Sequence, residues 1–511
     1  MSRIPSKFMT AAEAVAMIKD GDTVGLIGGG GGLVEANCIF AAVEKRFLET
    51  GAPRNLSLVH ALGIGDKKTR GLNCFAHEGM VKRVIGGHWV WSPTMQKMAL
   101  EEKIEAYVLP GGVISQLFRE IGAGRPGLIS HVGLGTFVDP RQDGGRMNKS
   151  AKDELVEVIE IAGREYLRYK PFPVNVAIIR GSYADEQGNV SMDMEPANLD
   201  AYAVAVAAHN SGGKVIVQVR TGVELGVLPA RSVRIPGAIV DAVVVDATQM
   251  QSYEIVYDPT ISGERRGPIP AEQPEALSVR MATANRAYEE LREGAVINYG
   301  FGIPDAVAKL VSSRGDLNRY YQTIEHGTYG GNLLEGMLFG FARNASAMID
   351  APSQFDFYGG GGLDITFLGF GEFDREGNVN ASKLGGTTVG PGGFIDIAQN
   401  ARKVVFCGNF EAKGVKIALD GGTMKIERHG DISKVVAKVD QITFSGPQSL
   451  VRGQEVLYIT ERAVFRLTAK GILLEEIAPG VDLQRDILDR MGFTPLMNGQ
   501  PRVMNPKHFG A

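Results

Sequence analysis

The sequence predicts an α/β protein made of two related open domains, each with a mostly parallel sheet flanked by helices. Three observations lead to this prediction. Short apolar strands end in glycine turns and are followed by helical patterns, as in βαβ units. Continuous β-branched runs suit strands that are buried on both faces of a parallel sheet. A motif in the first half of the chain recurs in the second half.

The first predicted unit of the chain shows the strand, the glycine turn and the helix in that order. The stretch 22–28 predicts a strand, and the glycines from Gly28 to Gly32 follow it. Apolar residues at helical spacing come next, and Gly51 ends the predicted helix. The same reasoning predicts further strands at 56–63, 174–181, 214–219 and 238–247.

An internal repeat divides the chain. The Asp, Gly, Asn and Val of segment 185–190 recur in segment 374–379, and the Lys-Val pair 214–215 recurs with the same offset at 403–404. We therefore predict an N-terminal domain at 1–275 and a C-terminal domain at 276–511, joined by the proline-marked stretch 263–278. An antiparallel hairpin at 455–480 and an amphipathic helix at 481–492 complete the predicted elements.

Composition excludes several classes of function. The net charge of −4 offers no basic field for nucleic acid or an anionic membrane. No uncharged apolar run approaches the roughly 18 residues of a membrane span, and the N-terminus offers no signal peptide. Cys38, Cys74 and Cys407 lie far apart, which fits a reducing cytoplasm and predicts neither a disulfide framework nor a zinc site. The scattered histidines predict no metal site.

Common catalytic templates are missing from the sequence. There is no phosphate loop of the GxxxxGK[ST] type, no HExxH and no GxSxG. The glycine-rich stretch 25–32 contains GxGxxG, but no acidic residue closes the second strand, so a dinucleotide site is disfavoured.

Three glycine loops are candidates for binding. One spans Gly28–Gly32, the second spans 300–303 and precedes Pro304, and the third spans 390–393. A glycine loop between a strand and a helix presents backbone N–H groups to phosphates or to a developing oxyanion. The alternative is that these glycines serve only the tight packing of turns.

Glu325 is the candidate nucleophile. It follows the strand-like residues 321–324 and precedes Gly327, Gly330 and Gly331. A carboxylate with an ordinary pKa of about 4.3 is anionic at neutral pH and can attack an activated carbonyl without a general base. It requires an activated acyl group, such as a thioester, and hydrogen-bond donors for the oxyanion. Taken alone, this stretch also fits a solvated surface glutamate.

The chain resembles the family I coenzyme A-transferases, close to the bacterial propionate/acetate and 3-oxoacid enzymes. The resemblance covers nearly the whole chain. It is carried by the E-x-G-x-x-GG motif at Glu325, by the G-x-GGF motif at Gly390, and by stretches at 82–127, 131–145, 211–219, 459–468 and 476–488.

The resemblance implies specific roles for residues between two α/β domains. Glu325 would be the catalytic glutamate. The residues implied at the oxyanion and coenzyme A are Gly300, Phe301, Gly302, Ile303, Gly390, Gly392, Gly393 and Phe394. Coenzyme A enters as a thioester substrate, with no metal or prosthetic group, and the protein would be a homo-oligomer, a dimer or a tetramer.

Two positions depart from the pattern of the family. His326 stands where relatives carry a small residue, and it either narrows the acyl pocket or points away. Gly28, Gly29 and Gly30 are further candidates for that pocket.

Pro391 is the second position that departs from the pattern. Proline has no N–H group, so the oxyanion donors of its loop would be Gly390, Gly392 or Gly393.

The resemblance implies transfer of coenzyme A from a short-chain acyl-CoA to an acetate- or propionate-type acid. The mechanism would be ping-pong, through a glutamyl-CoA thioester. Three alternatives stay open: a 3-oxoacid acceptor, hydrolysis of the thioester with the same glutamate, and a ligand sensor that binds acyl-CoA or a sugar phosphate without turnover.

Overall fold

The chain forms two large sheets in a computed structural model that describes residues 5–269 and 275–511. The first sheet has nine strands between residues 23 and 245, and the second has ten strands between residues 296 and 503. Segment 270–274 of the predicted linker lies outside the described residues, so the domain boundary near 275 stays a prediction.

The bounds of the regular elements are as follows. The helices are α1 (Ala11–Val15), α2 (Asn37–Thr50), α3 (Pro93–Leu100), α4 (Gly111–Gly122), α5 (Ala201–Asn210), α6 (Val279–Tyr288), α7 (Ile303–Ser313), α8 (Ala351–Gly359), α9 (Phe394–Ala398) and α10 (Gly446–Val451). The strands of the first half are β1 (Thr23–Leu26), β2 (Leu56–His60), β3 (Val81–Gly86), β4 (Glu105–Tyr107), β5 (Leu128–Ser130), β6 (Val156–Ile161), β7 (Arg164–Tyr169), β8 (Val176–Asp185), β9 (Val190–Ser191), β10 (Lys214–Val223), β11 (Val233–Ile235) and β12 (Ala242–Val245). Those of the second half are β13 (Val296–Tyr299), β14 (Tyr321–Ile324), β15 (Thr328–Tyr329), β16 (Asn332–Leu333), β17 (Ala342–Arg343), β18 (Ala347–Met348), β19 (Ile365–Gly369), β20 (Glu372–Phe373), β21 (Val379–Asn380), β22 (Lys383–Leu384), β23 (Thr387–Thr388), β24 (Lys403–Cys407), β25 (Glu411–Ala412), β26 (Lys416–Asp420), β27 (Thr423–Arg428), β28 (Ile432–Ser433), β29 (Glu455–Ile459), β30 (Ala463–Thr468), β31 (Gly471–Ile477) and β32 (Arg502–Val503).

The first sheet has a parallel core in the order β12-β10-β8-β1-β2-β3-β4. Strands β9 and β11 extend it as an antiparallel ribbon beyond the end of β8. The β-branched runs of β8 and β10 are almost wholly buried, as expected of strands covered on both faces. The predicted mostly parallel sheets flanked by helices are confirmed.

The second sheet repeats this order. Its parallel core β29-β24-β19-β13-β14 corresponds strand for strand to β12-β10-β8-β1-β2. The repeated aspartates make matching turns. Asp185 Oδ1 accepts the Asn189 N–H at 3.0 Å, and Asp374 Oδ1 accepts the Asn378 N–H at 3.0 Å. The sequence repeat is therefore also a structural repeat.

Two expectations about local elements are wrong. The stretch 481–492 forms a π turn at Leu483–Ile487 and a 3₁₀ turn at Leu488–Arg490 in place of one helix. The backbone of Ile487 leaves helical values (φ −120°, ψ −70°) while its side chain is fully buried, so tertiary packing overrides the helical pattern. The strand expected at 238–247 shrinks to β12, because Gly237–Ile239 turns tightly beside the Gln187 carbonyl.

The terminal hairpin is confirmed. Strands β29, β30 and β31 pair antiparallel, with the turn between β30 and β31 at Ala469–Lys470. Within the described ranges, no helix has both the length and the apolar composition to cross a bilayer.

The carboxyl ends of the two sets of parallel strands converge. Loops that follow β1, β2 and β3 and loops that follow β13 and β14 all line a single cavity. Ligands of open α/β sheets bind at the carboxyl ends of the strands, so the fold places a shared site between the halves.

Candidate active site

The cavity between the halves has a volume of about 340 Å³, within the range of small-molecule sites. It brings together most of the residues that the sequence singled out. Those that line it are Gly29, Gly30, Gly300, Phe301, Glu325, His326, Gly390, Gly392 and Phe394. The walls between them are largely aliphatic and aromatic, with Leu33, Trp91 and Phe339 among the larger side chains.

Four predicted residues do not line the cavity. A methyl group built on Gly28 would meet Glu35 Cγ at 2.8 Å, so this glycine serves packing. The Gly302 N–H donates to Asp305. Gly302 is the N-cap of α7, and Ile303 is the first residue of that helix. Gly393 does not line the cavity, but its N–H donates to the Glu325 carboxylate.

Glu325 follows β14, and residues outside the cavity lining hold its carboxylate in place. The Gly393 N–H donates to its carboxylate. A methyl group on Gly393 would lie 2.6 Å from Glu325 Oε2, so only glycine allows this contact. Gly327, with φ of 112°, turns the chain directly after the glutamate, because a side chain there would strike the Ile349 carbonyl.

The pKa of Glu325 differs from the sequence-based expectation. Burial raises the pKa of Glu325 to about 7, and the Gly393 N–H opposes this rise by favouring the carboxylate. The expectation of a fully anionic group at neutral pH, taken from an ordinary glutamate, is therefore wrong. The cavity walls remove water from the carboxylate, which also makes the anion a stronger nucleophile.

A second buried carboxyl lies close to Glu325. Asp396, in α9, accepts the Gly112 N–H at 3.0 Å from the N-terminus of α4. Burial raises the pKa of Asp396 to about 8, with the Glu325 charge adding to the rise. Burial therefore favours the neutral form of both carboxyls, and the charge of one disfavours the charge of the other.

The third glycine loop is bound to the first half of the chain. The Gly392 N–H donates to the Gly87 carbonyl at 2.8 Å, and the Gly111 N–H donates to the Gly392 carbonyl at 2.8 Å. The Trp89 N–H donates to the Val389 carbonyl at 2.8 Å. These bonds fix the loop that carries Gly393, which in turn contacts the Glu325 carboxylate.

The same bonds change the expected set of oxyanion donors. The Gly390 N–H donates to the Ser382 carbonyl at 3.1 Å, the Gly392 N–H donates to Gly87, and the Gly393 N–H donates to Glu325. In this conformation all three groups are engaged. The sequence could not reveal this, because the acceptors come from distant parts of the chain.

His326 lines the cavity beside Glu325. It is 2% exposed, and its Nε2–H donates to the Gly340 carbonyl at 2.6 Å. Burial lowers the pKa of His326 to about 4, so the ring is neutral. Of the two orientations left open by the sequence, the structure has the one in which the ring borders the cavity.

Sequence reasoning missed three residues of the first half. His88 and Trp91 follow β3 and line the cavity, and the Lys67 ammonium lies 4.5 Å from the Trp91 ring and 5.5 Å from the Phe301 ring. A usable signal existed, since β3 is a buried strand that ends in glycines like the strands before the recognised loops. No cluster of metal-ligating residues occurs among the residues that the structure describes.

Comparison with known proteins gives a consistent result. Residues 8–246 match the family described as coenzyme A transferase. The chain is 42% identical to acetate CoA-transferase YdiF of Escherichia coli (strain K12), over 99% of this chain and 95% of that protein. It is 43% identical to caffeate CoA-transferase of Acetobacterium woodii, over 99% of this chain and 97% of that protein.

A solved structure agrees closely with the fold. The acyl-CoA transferase YdiF from E. coli O157:H7, in a thioester complex with CoA, superposes with a TM-score of 0.93 and 41% identity. The match covers 99% of this chain and 96% of that chain.

Proposed function

The chain belongs to the family I coenzyme A-transferases, and we propose that it moves coenzyme A from a short-chain acyl-CoA to a free carboxylate through a covalent thioester on Glu325. One observation carries the proposal above all others. Glu325 is a desolvated carboxylate at the carboxyl ends of two facing sheets, held by Gly393 and open to a largely apolar cavity.

The first half of the reaction exchanges the acyl group for coenzyme A. A Glu325 carboxylate oxygen attacks the thioester carbonyl, the C–S bond breaks, and the thiolate leaves with its electron pair. The thiolate then attacks the Glu325 carbonyl of the mixed anhydride. The free acid departs, and a glutamyl-CoA thioester remains.

The second half runs the same steps in reverse with an acceptor carboxylate. The acceptor attacks the glutamyl-CoA thioester, and the released thiolate attacks the acceptor's carbonyl. The products are a new acyl-CoA and the original Glu325 carboxylate. The energy of the thioester is conserved in the mixed anhydrides and in glutamyl-CoA, so the reaction requires no ATP.

The relatives support this choice of substrate. The solved relative in a thioester complex with CoA supports a covalent thioester in this chain as well. The name of the E. coli relative supports acetate as an acceptor, and propionate is the next expected acid. The resemblance also supports a homo-oligomer, a dimer or a tetramer, which sedimentation would test.

Initial-rate kinetics test the proposal. With acetyl-CoA as donor and a panel of acetate, propionate, acetoacetate and caffeate as acceptors, we expect parallel lines in double-reciprocal plots for at least one short acid. Release of free CoA at the same rate without any acceptor would instead identify a thioester hydrolase. Tight binding of acyl-CoA, with neither transfer of CoA to an acid nor release of free CoA, would identify a sensor. Turnover with acetoacetate alone would identify a 3-oxoacid enzyme.

A further inference from the structure

The cavity contains few polar groups that are free to meet a substrate. The loop N–H groups of Gly390, Gly392 and Gly393 are engaged, as described above. The His326 Nε2–H is bound to Gly340, and the Asn298 amide nitrogen contacts the Thr323 carbonyl and the Tyr358 hydroxyl at 3.4 Å. The Lys67 ammonium, which also lines the cavity, lies over the Trp91 and Phe301 rings. An oxyanion formed at Glu325 therefore requires another donor.

His88 is the side chain in position to supply one. A methyl group built on Gly392 would lie 3.8 Å from Glu325 Oε1 and 3.8 Å from His88 Cβ, so the two side chains border the same point of the loop. The backbone around His88 is fixed on both sides, because the Gly87 carbonyl and the Trp89 N–H both bond to the loop at 2.8 Å.

The two ring nitrogens of His88 have different surroundings. Nδ1 is fully buried and has no hydrogen-bond partner among the described residues, and a methyl group on Gly63 would lie 2.7 Å from it. The residue as a whole is partly exposed and lines the cavity. A buried N–H without an acceptor is strongly disfavoured, so the ring proton belongs on Nε2, away from Gly63.

We propose that His88 is a further catalytic residue, whose Nε2–H donates a hydrogen bond to the oxyanion formed when Glu325 attacks a thioester carbonyl. This inference rests on the proposed role of Glu325 and deepens it. The carbonyl π electrons move to oxygen as the Glu325 C–O bond forms, and they return when the C–S bond breaks. The proton stays on His88 throughout.

The ring is suited to donate without transferring its proton. Burial, together with the neighbouring His60 and Lys67, lowers the pKa of His88 to about 4. His88 is therefore a neutral donor at pH 7. A neutral donor does not form an ion pair with the Glu325 carboxylate before the reaction, so its hydrogen bond is available to the oxyanion.

The experiment measures the first half-reaction by rapid quench, with acetyl-CoA and no acceptor. Mass spectrometry follows the appearance of CoA on Glu325 in four variants. His88→Ala removes the ring, His88→Phe keeps the bulk without a donor, and His88→Gln keeps a donor. His77→Ala is the matched control, because His77 pairs with Glu44 and does not line the cavity.

We expect His88→Ala and His88→Phe to form the adduct about 100-fold more slowly, the usual loss for one oxyanion donor. Affinity for acetyl-CoA should stay within about threefold, since the donor acts only in the transition state. His88→Gln should retain more activity than His88→Phe, and added imidazole should accelerate His88→Ala. His77→Ala should match the wild type.

The outcomes separate the two proposals. A wild-type protein that binds acetyl-CoA without forming an adduct on Glu325 overturns the proposed function, and the role of His88 with it. If the wild type forms the adduct on Glu325, and His88→Ala and His88→Phe form it at the same rate, only the proposed role of His88 is overturned. The role of His88 is also overturned if the slow variants bind acetyl-CoA more weakly, have a lower Tm and are not accelerated by imidazole. That result would indicate a purely structural histidine.

Discussion

The surroundings of Glu325 set the properties of its carboxylate. Its carboxylate lies among cavity walls that exclude water, with the Gly393 N–H as the group that favours its charged form. Burial also raises the pKa of the nearby Asp396 carboxyl, to about 8. The site therefore disfavours two negative charges at once, and the Gly393 N–H favours the charged form of Glu325.

The pH dependence of activity follows from this environment. Because burial raises the pKa of Glu325 to about 7, the nucleophile is protonated below that pH. We expect kcat/KM to fall about tenfold per pH unit below pH 7, since kcat/KM reports the ionisation of the free enzyme. A rate profile over pH 5 to 8 measures this, and a flat profile would contradict it.

The stability of the protein should also depend on Glu325. Its pKa is raised on folding, so the stability gained with the neutral form is present below the ordinary pKa and is lost as pH rises through about 7. Glu325→Gln stays neutral, so its Tm should exceed that of the wild type at pH 8 by about 2 °C or more. At pH 4.5 the two proteins should melt together. A Tm difference independent of pH would argue against this account.

His326 is expected to set the size of the acyl group. Its ring borders the cavity and is held by Gly340, so truncation opens space next to the nucleophile. His326→Ala should raise kcat/KM for hexanoyl-CoA relative to acetyl-CoA by about tenfold, as is typical of one enlarged subsite. His131→Ala is the control, since His131 bonds to Asn400 and does not line the cavity. An unchanged ratio would place the acyl group elsewhere.

At the scale of elements, the glycine loop 389–393 is the feature that joins nucleophile and scaffold. It receives hydrogen bonds from Trp89 and Gly111 and donates one to Gly87, all in the first half of the chain. The loop leads directly into α9. The N–H of its last residue, Gly393, donates to Glu325, and Asp396 in α9 accepts the Gly112 N–H at the N-terminus of α4. One short segment thus aligns two helix ends and two carboxyl groups.

Gly393→Ala tests this arrangement. Its added methyl group would lie 2.6 Å from Glu325 Oε2, so the carboxylate must move. A displacement of about 1 Å costs about 100-fold in rate, and we expect kcat to fall by that factor. Gly359→Ala, at the end of α8 with no atom within 4 Å of the new methyl group, should keep wild-type kcat. Equal rates for both variants would show that the contact is dispensable.

Local patterns predicted the elements near the site well. Glycine after an apolar strand identified the turns that follow β1 and β13, and the glycines of 390–393 identified a third loop of the cavity. What the sequence could not predict were the long-range partners. The acceptors of the Gly390 and Gly392 N–H groups, and the position of His88 opposite them, depend on contacts between residues far apart in the chain.

At the scale of the whole molecule, the repeat explains why the cavity lies between the two halves. Two sheets with the same parallel strand order turn the same ends toward each other, so each half supplies loops to one enclosed cavity. The sequence repeat predicted the two related halves, and the family resemblance predicted that the site lies between them. The packing that desolvates Glu325 arises only from the two halves together, which is why the raised pKa could not be predicted from Glu325 alone.

Chemical trapping can identify the residue that carries coenzyme A during turnover. The protein is incubated with acetyl-CoA, trapped with hydroxylamine or borohydride, and digested for peptide mapping, with Glu325→Ala as the control. We expect modification at Glu325 in the wild type and none in the variant. Modification at any other residue, or turnover with no modified peptide, would contradict the account.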